Sequence, residues 1–277
     1  MGAYDPARPL DGRAIIVTGA AGCGVGAGVC AAVHAAGGRL VINDLDGAAV
    51  RRVAELYPGA VAVPADVSDP AGAARLVEVA YAECQQVSGL VNNAGVGLSR
   101  PFHEASEDEF DRVFSIDVRG LWLVSRAFAR HVLARGTNGA IVHVSSVHAR
   151  ATMSRYAVYA SAKAAVESLA RGMAVELGRH EVRCNAIAPG YVHSEQGFDL
   201  IRTFTREPEA WVNRHTRIEQ VLPRLIDPLD CGWAAVFLLS EASRCITGQT
   251  LAVDAGLTAR LYNNAIQEDS LDNGEDE

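Results

Sequence analysis

The sequence predicts an α/β protein on a doubly wound, seven-stranded parallel sheet with helices on both faces. Short apolar, β-rich runs alternate with longer stretches of helical pattern. The first six of these runs are nearly continuous in hydrophobicity, as strands covered on both faces are. The segments between them hold roughly 15 residues or more, enough for right-handed crossover helices. Ligands of such sheets sit beyond the carboxyl ends of the strands.

The elements follow in order. The strand "AIIV" (14–17) runs into "TGAAGCGVGAG", a glycine-rich turn that opens a helix. The next strands are "RLVIND" (39–44), "AVAVPAD" (60–66), "GLVNNAG" (89–95), "GAIVHVSS" (139–146) and "VRCNAIAPG" (182–190), with "TLAVDAG" (250–256) near the end. Ahead of the fifth strand, Phe110, Val113, Phe114, Asp117, Leu121, Val124 and Phe128 recur at three-four spacing, a helix whose apolar face carries one carboxyl. Residues 193–226 break the alternation by mixing Phe198, Leu200, Phe204 and Trp211 with Arg, His and acids, the pattern of a substrate lid. One domain over 1–257 is expected, followed by an acidic, disordered tail over 258–277.

Hydrophobic residues at 49% and charged ones at 21% support a full core. The net charge of -8 sits mostly at the end, where 258–277 hold six acids against one Arg, so the body is near neutral. With scattered Arg and a pI of about 5.5, nothing favours nucleic acid. Six Cys, at 23, 30, 84, 184, 231 and 245, form no C-x-x-C pair and no metal-like cluster with His. They read as buried thiols of a reduced compartment, with no metal. "MGAYDPARPLDGR" lacks an apolar signal core, and no apolar run nears the ~18 residues of a membrane span. A soluble, cytoplasmic chain is the expectation.

The glycine turn asks what it holds. Gly19, Gly22, Gly24 and Gly26 clear Cβ atoms from a loop that aims a helix N-terminus, the geometry that admits a pyrophosphate. An ordinary βα turn can look the same; Asp44 separates the two readings. It ends the second strand 20 residues beyond Gly24, where a carboxylate accepts the ribose hydroxyls of NAD and repels the extra phosphate of NADP. At ~4 Å and an effective dielectric near 20 that repulsion is about 4 kcal/mol, which favours NAD. Asp46 suits a helix N-terminus better. In "YASAK", Tyr159 and Lys163 stand on one helical face. An adjacent cation favours the phenolate, so the pair can move a hydroxyl proton during hydride transfer. Ser146, 13 residues before Tyr159, can hold the same substrate oxygen.

Over residues 10–257 these motifs resemble the short-chain dehydrogenases/reductases in their simple, single-domain form, which implies a Rossmann-like fold. "TGAAGCGVG" is similar to the family's cofactor loop, here Gly19, Gly22, Cys23, Gly24, Val25 and Gly26; "ADV" (65–67) to its adenine contact; "NNAG" (92–95) to the segment supporting the central sheet. Ser146, Tyr159 and Lys163 match the catalytic serine, tyrosine and lysine, and "PGYVHS" (189–194) the segment beside the nicotinamide. The resemblance implies that Lys163 also holds the ribose hydroxyls and that Asp66 and Val67 flank the adenine. Asn93, Ala94 and Gly95 would lie near the cofactor, with Pro189, Gly190, Val192 and Ser194 at the carboxamide, where Ser194 replaces the usual threonine. It further implies a homotetramer or homodimer, to which the apolar stripe from Phe110 to Phe128 fits.

Two departures stand out. "DVRG" puts Asp117 where the family has a catalytic Asn, and a carboxyl there is expected to be protonated or tied to an amide or cation, with a relay of shifted pH dependence or a plain structural bond. The loop also holds one residue more between Gly19 and Gly24 than the family does. Either "GVG" (24–26) takes the final glycine positions with a bulge at 20–23, or Gly22, Gly24 and Ala27 form a G-x-G-x-x-A fingerprint. For the substrate, His148, Arg150, Met153, Arg155, His193 and Trp211 are the expected lining, polar enough for a sugar, polyol, hydroxy acid or cyclic alcohol. An NAD-using lyase or epimerase, a 3-ketoacyl or steroid reductase, and a non-catalytic NAD-binding sensor are the alternatives.

Overall fold

The computed structural model describes residues 5–203 and 205–261. Seven parallel strands form one sheet, ordered β3-β2-β1-β4-β5-β6-β7: β1 (Ala14–Val17), β2 (Arg39–Asp44), β3 (Val61–Pro64), β4 (Val87–Asn92), β5 (Gly139–Val144), β6 (Val182–Pro189) and β7 (Thr250–Val253). The chain builds outward from β1 to β3, then returns to lay β4 on the other side of β1. That reversal opens a crevice at the carboxyl ends of β1 and β4. Every residue of β1, β4 and β5 is buried, including Ser88 and Asn92 of β4 and His143 of β5.

Helix α1 (Val25–Ala35), α2 (Gly47–Glu55) and α3 (Pro70–Glu83) are the first crossovers. Asp46 caps α2 by accepting from Ala48 N and Ala49 N, and Asp69 caps α3, where Pro70 takes a position that needs no N–H donor. Then come α4 (Glu107–Phe114) with a Ser106–Glu109 capping box, α5 (Leu121–Arg135), α6 (Ala157–Leu177), α7 (Glu195–Arg202), α8 (Pro208–Arg214) and α9 (Pro228–Leu239). Helices α1 and α9 cover one face, with Val29, Val33, Ala235 and Leu239 in its core; α3, α5 and α6 cover the other, with Leu76, Val124, Phe128 and Ala170. Gly28 and Gly232 let α1 and α9 touch backbone to backbone: a Cβ on Gly28 would run into the Pro228 carbonyl, and one on Gly232 into the Gly28 carbonyl.

Several strands end sooner than their apolar runs, because the residues after the ladder turn toward the crevice: Asn93 to Gly95 leave β4, and Ser145 and Ser146 leave β5. The stripe from Phe110 to Phe128 also divides. Val113, Leu121, Val124 and Phe128 are buried within the domain's own core, while Phe110 is 44% exposed. Of the cysteines, Cys30, Cys84, Cys184 and Cys231 are buried as expected; Cys23, in the glycine loop, and Cys245 are exposed. Among the described residues no helix is long and apolar enough to cross a membrane, and no group of three or more His, Cys, Asp or Glu is arranged to hold a metal. Phe204 and most of the acidic tail, from 262 onward, lie outside the described residues.

Candidate active site

The crevice begins at the glycine turn. Gly19 takes φ +62°, and a Cβ there would lie 2.6 Å from Ala94 Cα, so only glycine lets the turn pass this close to the end of β4. Asn93 staples it by donating Nδ2 to Thr18 O at 3.0 Å and Gly19 O at 2.7 Å, while the Thr18 hydroxyl accepts from Asn93 N and Ala94 N. The inserted residue leans on β2: Ala20 N donates to Asn43 O and Ala21 N to Asp44 Oδ2 at 2.9 Å. Among the described residues none accepts from the amides of Gly22, Cys23, Gly24, Val25 or Gly26, at the N-terminus of α1. The free amides span both registers the sequence allows. Five amides without an acceptor at a helix start suit an anion, and Asp44, half-buried near them, suits hydroxyl donors.

Beyond β5, Ser146 is buried and caps a short turn at Val147–Ala149. His148 N donates to Ser146 Oγ at 3.3 Å, and the His148 ring stands edge-on to Tyr159 with centroids 5.7 Å apart and stacks on Tyr156 at 4.6 Å. Ser146 thus holds the backbone of the residue whose ring faces Tyr159. Burial lowers the His148 pKa, so the ring is neutral at pH 7. Tyr159 and Lys163 lie one turn apart on α6, with Nζ 5.5 Å from the phenol ring centre.

Asp117 enters from a π-helical turn, Ser115–Gly120, that joins α4 to α5. Such a widened turn swings a side chain off the regular helical face. It carries the carboxylate inward, where Oδ2 meets Lys163 Nζ at 3.0 Å and Oδ1 accepts from Val96 N at 2.7 Å. Asp117 is therefore tied to both an amide and a cation. Burial alone would push the Lys163 ammonium down, but the charges of Tyr159 and Asp117 and the hydrogen bond to Asp117 outweigh it and raise its pKa.

The other expected contacts divide. Val67 is buried near the β3 end, and the Asp66 carboxylate accepts from Ser68 N and Oγ. Ser194 caps α7 by accepting from Gly197 N at 3.0 Å, which leaves its O–H free to donate. Gly190 packs against Asp254, Pro189 closes β6, and Val192 bridges to Ile226. Arg150 is turned to Glu167 of α6 at 3.2 Å, Met153 is 53% exposed, and Arg155 takes φ 75° with its carbonyl bound by Arg100 N. His193 and Trp211 join Tyr191, Phe198 and His215 in one aromatic cluster. Two neighbours went unread. Gln196 Oε1 reaches over the glycine loop, 3.0 Å from where a Cβ of Gly24 would stand, and Tyr156 is buried against His148. Their sole signal is nearness to Ser194 and Tyr159.

A family model described as Enoyl-(Acyl carrier protein) reductase matches residues 19–258. The chain is 35% identical over 254 residues to L-xylulose reductase of Homo sapiens, covering 90% of this chain and 98% of that one. It is 37% identical over 256 residues to galactitol 2-dehydrogenase (L-tagatose-forming) of Cereibacter sphaeroides, covering 90% and 96%. The chain is a short-chain dehydrogenase/reductase. This short-chain dehydrogenase/reductase shares its fold with 3-ketoacyl-(acyl-carrier-protein) reductase of Brucella melitensis, solved with NADH, at a TM-score of 0.78 and 31% identity, covering 90% and 99%. Membership makes it an oxidoreductase of a family that uses a nicotinamide cofactor. NADH and NADPH both occur in the names of similar proteins.

Proposed function

We propose that the protein transfers hydride between NAD(H) and a secondary alcohol or ketone of a sugar or polyol, in the cytoplasm and as a homodimer or homotetramer. The observation that carries this is Lys163 Nζ over the Tyr159 ring, with His148 between Tyr159 and Ser146, its ring on the one and its backbone N on the other, beside a loop of free amides. Gly22 to Gly26 would hold the pyrophosphate, and Asp44 the adenosine ribose. The dinucleotide, when bound, supplies the hydride acceptor or donor. Ser146 Oγ fixes the substrate oxygen, and the Tyr159 phenol takes or returns the hydroxyl proton. Lys163 holds positive charge at the phenol. Sugar- and polyol-named relatives support the substrate class, as does the polar, aromatic lining formed by His148, His193 and the cluster around Trp211. The lid is the segment 193–226, and the oligomer is supported by the exposed Trp122 and Phe110 along α4 and α5.

The test is a panel of polyols, sugars, hydroxy acids, cyclic alcohols and steroids offered with NAD and with NADP, following reduced nicotinamide. A polyol with NAD is the expected winner, and Tyr159→Phe lowers that turnover by about 10² to 10⁴. Conversion of a substrate without net dinucleotide reduction makes the protein a lyase or epimerase instead. Full turnover by the Tyr159→Phe variant refutes the acid–base assignment.

A further inference from the structure

Lys163 serves the proposed reaction through its charge, and in this chain that charge is already met. Its ammonium and the Asp117 carboxylate are 3.0 Å apart, with side chains only 6% and 0% exposed. Three features hold the carboxylate there. The π-helical turn delivers it, Val96 N binds its other oxygen, and Gly95 leaves the room, since a Cβ on Gly95 would lie 2.9 Å from Oδ2 and 3.2 Å from Nζ. Val144 O accepts a second Nζ proton at 3.2 Å.

The other groups around Tyr159 and Lys163 do not replace this contact. From β5 and the turn after it come Ser146 and His148, both uncharged at pH 7. From α6 come Tyr156, just ahead of its first turn, and Glu167, which is occupied by Arg150 and the Ser145 hydroxyl. Among the described residues Asp117 is the acid in contact with Lys163.

We propose that Asp117 is a positioning residue that neutralises Lys163 from behind, so that Tyr159 works beside a buried ion pair and the working range of the enzyme lies at higher pH than a bare lysine would give. The proposal rests on Tyr159 and Lys163 acting as described above. A negative charge close to the phenol disfavours its ionised form and partly cancels the help from Lys163. Replacing that charge with a neutral group leaves the ammonium to act alone, so proton removal from an alcohol begins at lower pH.

The experiment is the pH dependence of kcat/KM for alcohol oxidation in Asp117→Asn. Asn can accept from only one of the two donors that Asp117 satisfies, so Asp117→Ser, which leaves space beside Nζ, is measured in parallel. In both, the acidic limb is expected to move down by about one pH unit, with melting temperature followed on the same samples. A folded variant whose limb stays in place, or moves up, overturns the proposal. So does a uniform loss of activity at every pH, the mark of a merely structural role. Full turnover by Tyr159→Phe is a different failure, because it removes the underlying reading rather than the part given to Asp117.

Discussion

The two sides of the crevice are held by different forces. On the β5–α6 side, polar contacts dominate: Lys163 has Val144 O and Asp117, Ser145 Oγ donates to Lys163 O, and Glu167 has Arg150. On the lid side, rings rest on rings. Trp211 stacks on His215 at 4.8 Å, and both stand edge-on to Tyr191. Buried polar atoms with no hydrogen-bond partner among the described residues lie on both sides: His215 Nε2, Thr216 Oγ1 and Gln220 Oε1 here, and opposite them Asn92 Oδ1 and Asp117 Oδ2, the latter held by its ion pair to Lys163. Directional bonds fix a proton path to a fraction of an ångström; ring contacts tolerate shifts and specify shape. Under the proposed function, this difference assigns the chemistry to the wall and the choice of substrate to the lid.

The sharpest way to break the wall is through His143, fully buried in β5. Asn92 Nδ2 donates to its Nδ1 at 3.1 Å, which leaves Nε2–H to face Cys184 Sγ at 3.3 Å. Burial pushes its pKa down from 6.5 to about 3. The unfolded chain therefore binds the extra proton between those values, so the contribution to stability is complete above about pH 6.5 and is lost as pH falls toward 3. His143→Asn is expected to be less stable than the parent at pH 7.5. It lacks the titration, so between pH 6.5 and 4.5 that gap closes by about 3 kcal/mol, at ~1.4 kcal/mol per unit. Urea unfolding across this range is the measurement, and parallel pH profiles would falsify the assignment.

At the end of β2, on the glycine-loop side of the crevice, Asp44 accepts from Ala21 N and is the residue proposed to meet the ribose. Asp44→Ser should raise the NADP-to-NAD ratio of kcat/KM by about 10- to 100-fold, below the full ~4 kcal/mol of like-charge repulsion because solvent screens the mouth. Since the loop loses an anchor too, KM for NAD rises in the same variant. An unchanged cofactor ratio would mean that Asp44 serves the loop alone.

What the sequence made legible follows the same division. The seven strands and their parallel order come from nearly continuous apolar runs, and Tyr159 and Lys163 fall at the spacing that puts Nζ over the phenol ring. Asp117 was visible as a misplaced carboxyl, yet its partners were not, because a π-helical turn has no apolar periodicity of its own and Val96 is distant in sequence. His143 was hidden inside a strand that reads as hydrophobic. Gln196 and the ring cluster depend on how α7 and α8 fold back, and neither helix carries a repeat that fixes this. Local pattern encodes elements; contacts between elements need the third dimension.

The smallest effect, and the one that sharpens the comparison most, belongs to the lid. Trp211→Ala removes the plate between Tyr191 and His215 while leaving the sheet and both core clusters untouched. KM for the preferred polyol should rise about 5- to 10-fold with kcat nearly constant, since the contact acts in the ground and transition states alike. Melting temperature should fall by only about 2–4 °C, the cost of roughly 1 kcal/mol in a chain of this size. If kcat falls in step with kcat/KM, the ring cluster takes part in aligning the reacting carbon with Tyr159, and the division between a chemical wall and a selective lid fails at this residue.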